Sequence, residues 1–223
     1  MKVVISGYGK MGHMVEEVLA SRGIECAGRS EDISSFPDDV AADAVCIDFT
    51  TPDAFKANYP ALAAKFKAVV VGTTGWYDIA DKVFGTFKAQ GTTLIYASNF
   101  SIGVNVTFAL AELAAKRLSG LGYKAGIVET HHIHKLDAPS GTAKSIAGIV
   151  EKAGDYGTVD IESRRIGEVP GIHELSFTGG CDRITLTHEA FSRKGFAEGA
   201  VQAALMTEGL DGIYEFKDLI LKK

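Results

Sequence analysis

The chain has 223 residues, 46% hydrophobic and 23% charged, with a formal net charge of −5, a balance that predicts a water-soluble globular protein with room for one large core or two small ones. The acidic balance leaves no basic footprint for nucleic acid, and no Lys/Arg cluster or long apolar run suits a membrane. Cys26, Cys46 and Cys181 are odd in number and far apart, and no signal-peptide core precedes the first strand pattern, so a reducing, cytoplasmic setting is expected rather than a disulfide framework.

Residues 2–6 read as a short buried strand. Gly7-Tyr8-Gly9-Lys10-Met11-Gly12 follows, then an amphipathic run through Met14, Val15, Val18 and Leu19 that stops at Gly23. Strand, glycine turn and helix are the setting that the dinucleotide fingerprint G-x-G-x-x-G requires. The first glycine makes the tight turn, the second lets the backbone approach a pyrophosphate, and the third permits close packing, with the phosphate charge at the helix N-terminus. A plain turn is the competing reading. A second strand, 24–27, hands over to Gly28, Arg29 and Ser30 at the point where an Asp or Glu holds the ribose of NAD. A guanidinium and a hydroxyl there suit a 2′-phosphate, which leans toward NADPH over NADH; a solvated loop arginine is the alternative.

The third strand, 44–49, leads to Thr51, which is placed to cap a helix carrying Phe55 that Pro60 is expected to interrupt. A fourth strand, 68–71, ends in Gly72-Thr73-Thr74-Gly75, where a nicotinamide ring or ribose could lie flat, unless this is a tight loop with no ligand. A helix over about 77–90 and a fifth strand over 93–97 complete a rhythm that predicts a parallel, doubly wound sheet. The polar segment 98–105 opens a long helix with Val104, Phe108, Ala111, Ala115 and Leu118 on one stripe, closed by Gly120.

Beyond it the pattern changes. Residues 125–132 and 159–190 read as strands, and 173–177 and 183–188 alternate on either side of a Gly179-Gly180-Cys181-Asp182 turn. That predicts an open, largely antiparallel sheet with one helix, about 142–153, packed on it. A helix over 196–206 restores the α/β style, and 213–221 closes the chain. The fold class is therefore α/β, a Rossmann-like doubly wound sheet over 1–101 and 193–223. An inserted α+β domain with an open mixed sheet, 102–192, would bind substrate and carry oligomerisation. One face of that sheet is expected to stay apolar and to be buried in a homo-oligomer.

The polar stretch 129–143 lies where a strand hands over to a helix. Three readings compete for His131, His132 and His134: a metal site, structural histidines, or an acid with anion-binding groups. On an extended backbone His132 and His134 share a face while His131 points away, so three ligands do not converge locally and no metal is expected. Lys135 and the amides of Gly141 and Thr142 at a helix start form a receptor for a small anionic substrate, and beside a dinucleotide fold the third reading leads.

Glu129-Thr130-His131-His132-Ile133-His134-Lys135-Leu136-Asp137-Ala138-Pro139-Ser140-Gly141-Thr142-Ala143 resembles the signature of the 4-hydroxy-tetrahydrodipicolinate reductase (dihydrodipicolinate reductase) family. The resemblance continues in Gly7-x-Gly9-x-Met11-Gly12, Asp48-Phe49-Thr50, Gly72-Thr73-Thr74-Gly75 and the run from Asn99 to Asn105, in order and over essentially the whole chain. It implies a cytoplasmic NAD(P)H-dependent oxidoreductase of lysine and diaminopimelate biosynthesis that reduces a cyclic dicarboxylate to tetrahydrodipicolinate, with a homotetramer formed through the second-domain sheet. Carried over, His131 is the general acid, Lys135 stands close to the chemistry and holds substrate with His132, and Gly141 and Thr142 bind a carboxylate. Gly7, Gly9, Lys10, Met11 and Gly12 cradle the pyrophosphate; Arg29 and Ser30 remain cofactor candidates on the residue reading alone. Phe49, Thr50, Gly72, Thr73, Thr74 and Gly75 line the nicotinamide side, and Ala97, Ser98, Asn99 and Phe100 meet the carboxamide. The second-strand tip departs from the acidic residue usual in the family. Two other classes stand beside this reading: another two-domain NAD(P)-dependent amino-acid dehydrogenase, and a non-catalytic nicotinamide-sensing protein.

Overall fold

The computed structural model describes residues 1–221. In chain order its strands are β1 (Lys2–Ser6), β2 (Glu25–Ser30), β3 (Ala44–Asp48), β4 (Ala68–Val71), β5 (Thr93–Tyr96), β6 (Lys124–His131), β7 (Asp160–Arg165), β8 (Gly171–Thr178), β9 (Arg183–Ala190) and β10 (Ile213–Glu215). Its helices are α1 (Lys10–Ser21), α2 (Asp38–Ala41), α3 (Pro52–Lys65), α4 (Ala80–Gln90), α5 (Ile102–Leu118), α6 (Gly141–Ala153), α7 (Lys194–Met206) and α8 (Phe216–Leu221). Two compact units result, Met1–Ser101 with Lys194–Lys223, and Ile102–Arg193.

In the first unit all strand pairs are parallel, in the order β10-β5-β4-β3-β1-β2. Strands buried on both faces need apolar residues at every position, which is why Val3-Val4-Ile5 and Ala68-Val69-Val70-Val71 read as unbroken runs. Val3, Ile5, Val45, Ile47 and Val70 meet the α1 residues Val15, Val18 and Leu19 and the α7 alanines on one side. Val4, Cys46 and Val69 meet Phe55, Leu62, Trp76 and Phe87 on the other. This is a doubly wound, Rossmann-like sheet.

Local details differ from the sequence expectation. The second strand runs on through Arg29 and Ser30 instead of ending at 27. The closing segment adds a sixth strand, β10, whose three residues are too few to show a period. Residues 77–79 form a separate 3-10 turn ahead of α4. Pro60 does not interrupt its helix: α3 runs through it, with Phe55 before and Leu62 and Ala63 after it fully buried or nearly so. Core packing on both sides of the proline outweighs the lost backbone bond, a cost of about 3 kcal/mol. Thr51 caps this helix by accepting the Ala54 N–H at 3.2 Å.

The second unit holds a four-stranded sheet, β7-β6-β8-β9, parallel between β6 and β7 and antiparallel elsewhere. Two helices cover it, not one. Ala111 and Ala115 of α5 join Ile146, Ala147 and Val150 of α6 over Ile127, Leu175 and Phe177. Alternation then turns Gly126, Val128, Ile172, Glu174, Ser176, Thr185 and Thr187 to the opposite face. That face is largely polar, with Val128 and Ile172 its main apolar members, which corrects the apolar face expected from sequence.

Candidate active site

The glycine turn of the first unit separates into glycines required by the protein and one that is not. Gly7 has a φ of 85°, and a Cβ there would lie 2.5 Å from the Phe49 carbonyl oxygen. A Cβ on Gly12 would lie 2.3 Å from the Gly7 carbonyl oxygen. Gly9 caps α1 without a side-chain hydrogen bond, and nothing lies within 4 Å of where its Cβ would stand. Open space over an uncapped helix start fits the approach of a dinucleotide pyrophosphate. Lys10 beside it is exposed and Met11 half-buried.

At the end of β2 the Arg29 Nε donates to Glu16 at 2.8 Å, and the guanidinium lies 5.0 Å over the Tyr8 ring. Ser30 Oγ donates to the Asp32 carbonyl at 2.7 Å. Glu31 accepts the Tyr8 backbone N–H at 2.7 Å, which sets a carboxylate against the glycine turn. The sequence reading assigned Glu31 no role. An acid about 20 residues beyond the last glycine was the available signal.

Asp48 organises the strand tips. Fully buried at the end of β3, it accepts Ser6 Oγ and Thr73 Oγ1 at 2.6 Å each and Thr50 Oγ1 at 3.1 Å. Thr73 Oγ1 also accepts the Thr50 N–H at 2.7 Å. The hydroxyls of Thr50 and Thr73 are therefore occupied within the protein, tying β1, β3 and β4 together. Burial raises the Asp48 carboxyl above its ordinary pKa, against the pull of these hydrogen bonds. A Cβ on Gly72 would stand 2.1 Å from the Phe49 ring, so a glycine is needed for that ring to cross the end of β4. Thr74, Gly75 and Ser98 are exposed, Asn99 is half-buried, and Ala97 and Phe100 are buried.

In the second unit, Glu129 and His131 lie two residues apart on the helix-covered face of β6. Glu129 is fully buried and His131 nearly so, and Glu129 Oε2 pairs with His131 Nδ1. Arg165, opposite His131 in the β6–β7 register, donates from Nη1 to Glu129 Oε1 at 2.9 Å. It also donates to the carbonyls of Lys135 at 3.3 Å and Asp137 at 2.6 Å, which fixes the loop that carries Lys135. Lys135 Nζ itself meets Asp137 at 2.7 Å.

His173, opposite Glu129 in the β6–β8 register, stacks edge-on to His131 at 5.1 Å. Its Nε2 lies 3.1 Å from Ser140 Oγ, the oxygen that accepts the Ala143 N–H and caps α6. Gly141, exposed, and Thr142, half-buried, open that helix. His132 and His134 pack with ring centroids 6.0 Å apart, and His134 pairs with Glu168 at 3.3 Å. His131 thus keeps company with Glu129, Arg165 and His173 rather than with the other histidines of its motif. Glu129, His131 and His173 bring ligand-type atoms within 4.8 Å of one another, but Arg165 already supplies the cation that neutralises Glu129.

Burial lowers the His131 pKa below its ordinary value, only partly offset by Glu129. Burial pushes Glu129 upward, yet Ser163 and Arg165 beside it and the charge of His131 outweigh that, and its pKa falls below the usual carboxylate value. His173 is driven down to about 4, mainly by burial and next by His131. The sequence reading gave no role to Glu129, Arg165, His173 or Ser140. Alternation along β6 was signal enough for Glu129; the other three depend on strand register and a cap that single-sequence patterns do not reveal.

Residues 1–100 match the family described as "Dihydrodipicolinate reductase, N-terminus", and residues 103–220 match "Dihydrodipicolinate reductase, C-terminus". The chain is 37% identical over 238 residues to the 4-hydroxy-tetrahydrodipicolinate reductase of Christiangramia forsetii, covering 99% of this chain and 98% of that protein. It is 34% identical over 263 residues to the enzyme of the same name from Ralstonia pickettii, covering 99% of each. The solved structure of dipicolinate-bound dihydrodipicolinate reductase from Paenisporosarcina sp. TG-14 shares the fold, with a TM-score of 0.81 at 21% identity over 98% of this chain and 99% of that one. The chain belongs to the dihydrodipicolinate reductase family.

Proposed function

We propose that the chain is a 4-hydroxy-tetrahydrodipicolinate reductase, an NAD(P)H-dependent oxidoreductase that reduces a cyclic unsaturated dicarboxylate to tetrahydrodipicolinate on the route to lysine and diaminopimelate. Family membership across both units supports this over the dehydrogenase and sensor alternatives. The observation that carries the chemistry is the buried His131, backed by Glu129, in the same unit as an α6 start capped by Ser140.

A reduced nicotinamide, when bound, supplies the hydride. The chain does the rest. The Gly141 and Thr142 amides, with the Lys135 ammonium, receive a substrate carboxylate at the helix N-terminus, and His132 assists. His131 donates the proton that quenches the charge left on the carbon framework. Its pKa lies below the ordinary value in the free protein, so imidazolium is scarce until a dianion arrives. Two carboxylates nearby raise that pKa, which couples arming of the acid to substrate binding.

In the first unit Gly9 and the start of α1, with Gly7, Lys10, Met11 and Gly12, would hold the pyrophosphate of a bound dinucleotide. Phe49, Thr50, Gly72, Thr73, Thr74 and Gly75, with the segment from Ala97 through Ser98 and Asn99 to Phe100, would hold the nicotinamide side. For the cofactor, Arg29 and Ser30 suit a 2′-phosphate and favour NADPH, while the Glu31 carboxylate held at Tyr8 suits a ribose hydroxyl and favours NADH. The reading is that both serve, with NADPH ahead. A cytoplasmic homotetramer built on the uncovered sheet face of the second unit completes the proposal; light scattering at micromolar protein tests the assembly, and a monomeric mass refutes it.

The activity is tested by following NADPH and NADH oxidation with substrate made in situ by condensing pyruvate with aspartate semialdehyde. Oxidation that requires both precursors is expected. No oxidation of either cofactor refutes the reading.

A further inference from the structure

We propose that Glu129 is a positioning residue for the proton-transfer step: through Nδ1 it holds His131 in the tautomer that leaves Nε2 as the atom giving up the proton, and Arg165 tunes that hold. The inference rests on the reading of His131 as the acid and adds the device that orients it.

Glu129 has 0% exposure, so each carboxylate oxygen needs a partner from the protein. Oε1 has Arg165 Nη1 at 2.9 Å, and Oε2 stands at ion-pair range of His131 Nδ1, two buried atoms with no hydrogen bond to any other group among the described residues. A neutral imidazole carries one N–H. On Nδ1 it satisfies Glu129; on Nε2 it would leave the Nδ1 lone pair facing a buried carboxylate oxygen, an arrangement that costs the pairing of both groups. The second proton of the imidazolium therefore sits on Nε2. That nitrogen faces Gly171, where a Cβ would approach to 3.0 Å, so the glycine keeps it uncovered. When the Nε2–H bond breaks and the proton joins the substrate, imidazolium becomes neutral imidazole with Nδ1–H retained. Glu129 takes up no proton, because Arg165 keeps it ionised.

The charged and titratable groups around His131 come from each neighbouring element. Glu129 on its own strand favours imidazolium, while Arg165 at the end of β7 and Lys135 in the loop beyond β6 oppose it. The His173 ring of β8 lies 5.1 Å from that of His131 and 6.4 Å from that of His188 on β9. Removing Glu129 or Arg165 should thus move His131 in opposite directions.

The test is the pH profile of kcat/KM for wild type, Glu129→Gln and Arg165→Gln, read beside imidazole 15N spectra of the substrate-free proteins, with the His131 signal assigned by its loss in His131→Gln. An acid catalyst fails on the high-pH side, where it loses its proton. In Glu129→Gln that limb should move to lower pH and kcat fall about 10- to 100-fold. In Arg165→Gln it should move to higher pH, with KM raised because the Lys135 loop loses its tether. Wild-type His131, when neutral, should carry its proton on Nδ1. Limbs that do not move, or move the same way, overturn the inference, as does an Nε2–H neutral form. Should Glu129→Gln not fold, the wild-type spectrum and Arg165→Gln decide alone. Because the tautomer is read without turnover, its failure is distinct from failure of the acid assignment, which would appear as near-native activity in His131→Gln.

Discussion

Acidification should loosen the second unit through one buried histidine. His173 is 5% exposed and its pKa is driven down to about 4, mainly by burial. In the unfolded chain the same imidazole titrates near 6.5. The unfolded state therefore binds the proton first as pH falls, so the stability contribution is whole above about pH 6.5 and is lost toward pH 4. Integrating between these values gives a loss of about 2 kcal/mol on going from pH 8 to pH 5. His173→Gln removes the titration while keeping an amide that can meet Ser140 Oγ, now 3.1 Å from the imidazole. Urea unfolding of both proteins at several pH values, read by pulsed hydrogen exchange at β8, measures the effect; Trp76 fluorescence belongs to the other unit and would not. The gap between wild type and variant should change by about 2 kcal/mol across this range, wild type losing more. Parallel curves would refute the reasoning.

Other outcomes follow from particular contacts. Asp48→Ala strands three hydroxyls that now share one buried carboxylate and should destabilise the first unit by about 2–4 kcal/mol, read by Trp76 fluorescence in urea. Gly171→Ala sets a methyl 3.0 Å from His131 Nε2 and should lower kcat about 10-fold with cofactor Kd unchanged, as steady-state kinetics and a binding titration will show. Arg29→Ala should weaken kcat/KM with NADPH about 10-fold while sparing NADH; an unchanged ratio would remove Arg29 from cofactor choice.

The parallel sheet and the glycine turn were legible because their signals are local. Val3-Val4-Ile5 followed by Gly7 and Gly9 states strand and turn within eight residues, and the β8–β9 hairpin announces itself by alternation around Gly179-Gly180. What failed to show depends on partners distant in sequence. Pro60 reads as a break until Phe55 and Leu62 are seen buried on either side. The apolar stripe of α5 was legible, but the sheet it covers was not, because that depends on contacts with Ile127, Leu175 and Phe177 distant in sequence. Thr50 and Thr73 looked available to a ligand, yet their hydroxyls turn inward to Asp48. Alternation already turned His131 away from His132 and His134, but the partners it meets, Arg165 and His173, follow from strand register.

The central claim is that proton delivery comes from residue 131. Turnover of His131→Gln at saturating cofactor and substrate, with cofactor Kd measured on the same preparation, tests it most directly. A fall in kcat of about 10²–10⁴-fold with unchanged cofactor affinity is the predicted result. Near-native turnover would contradict it.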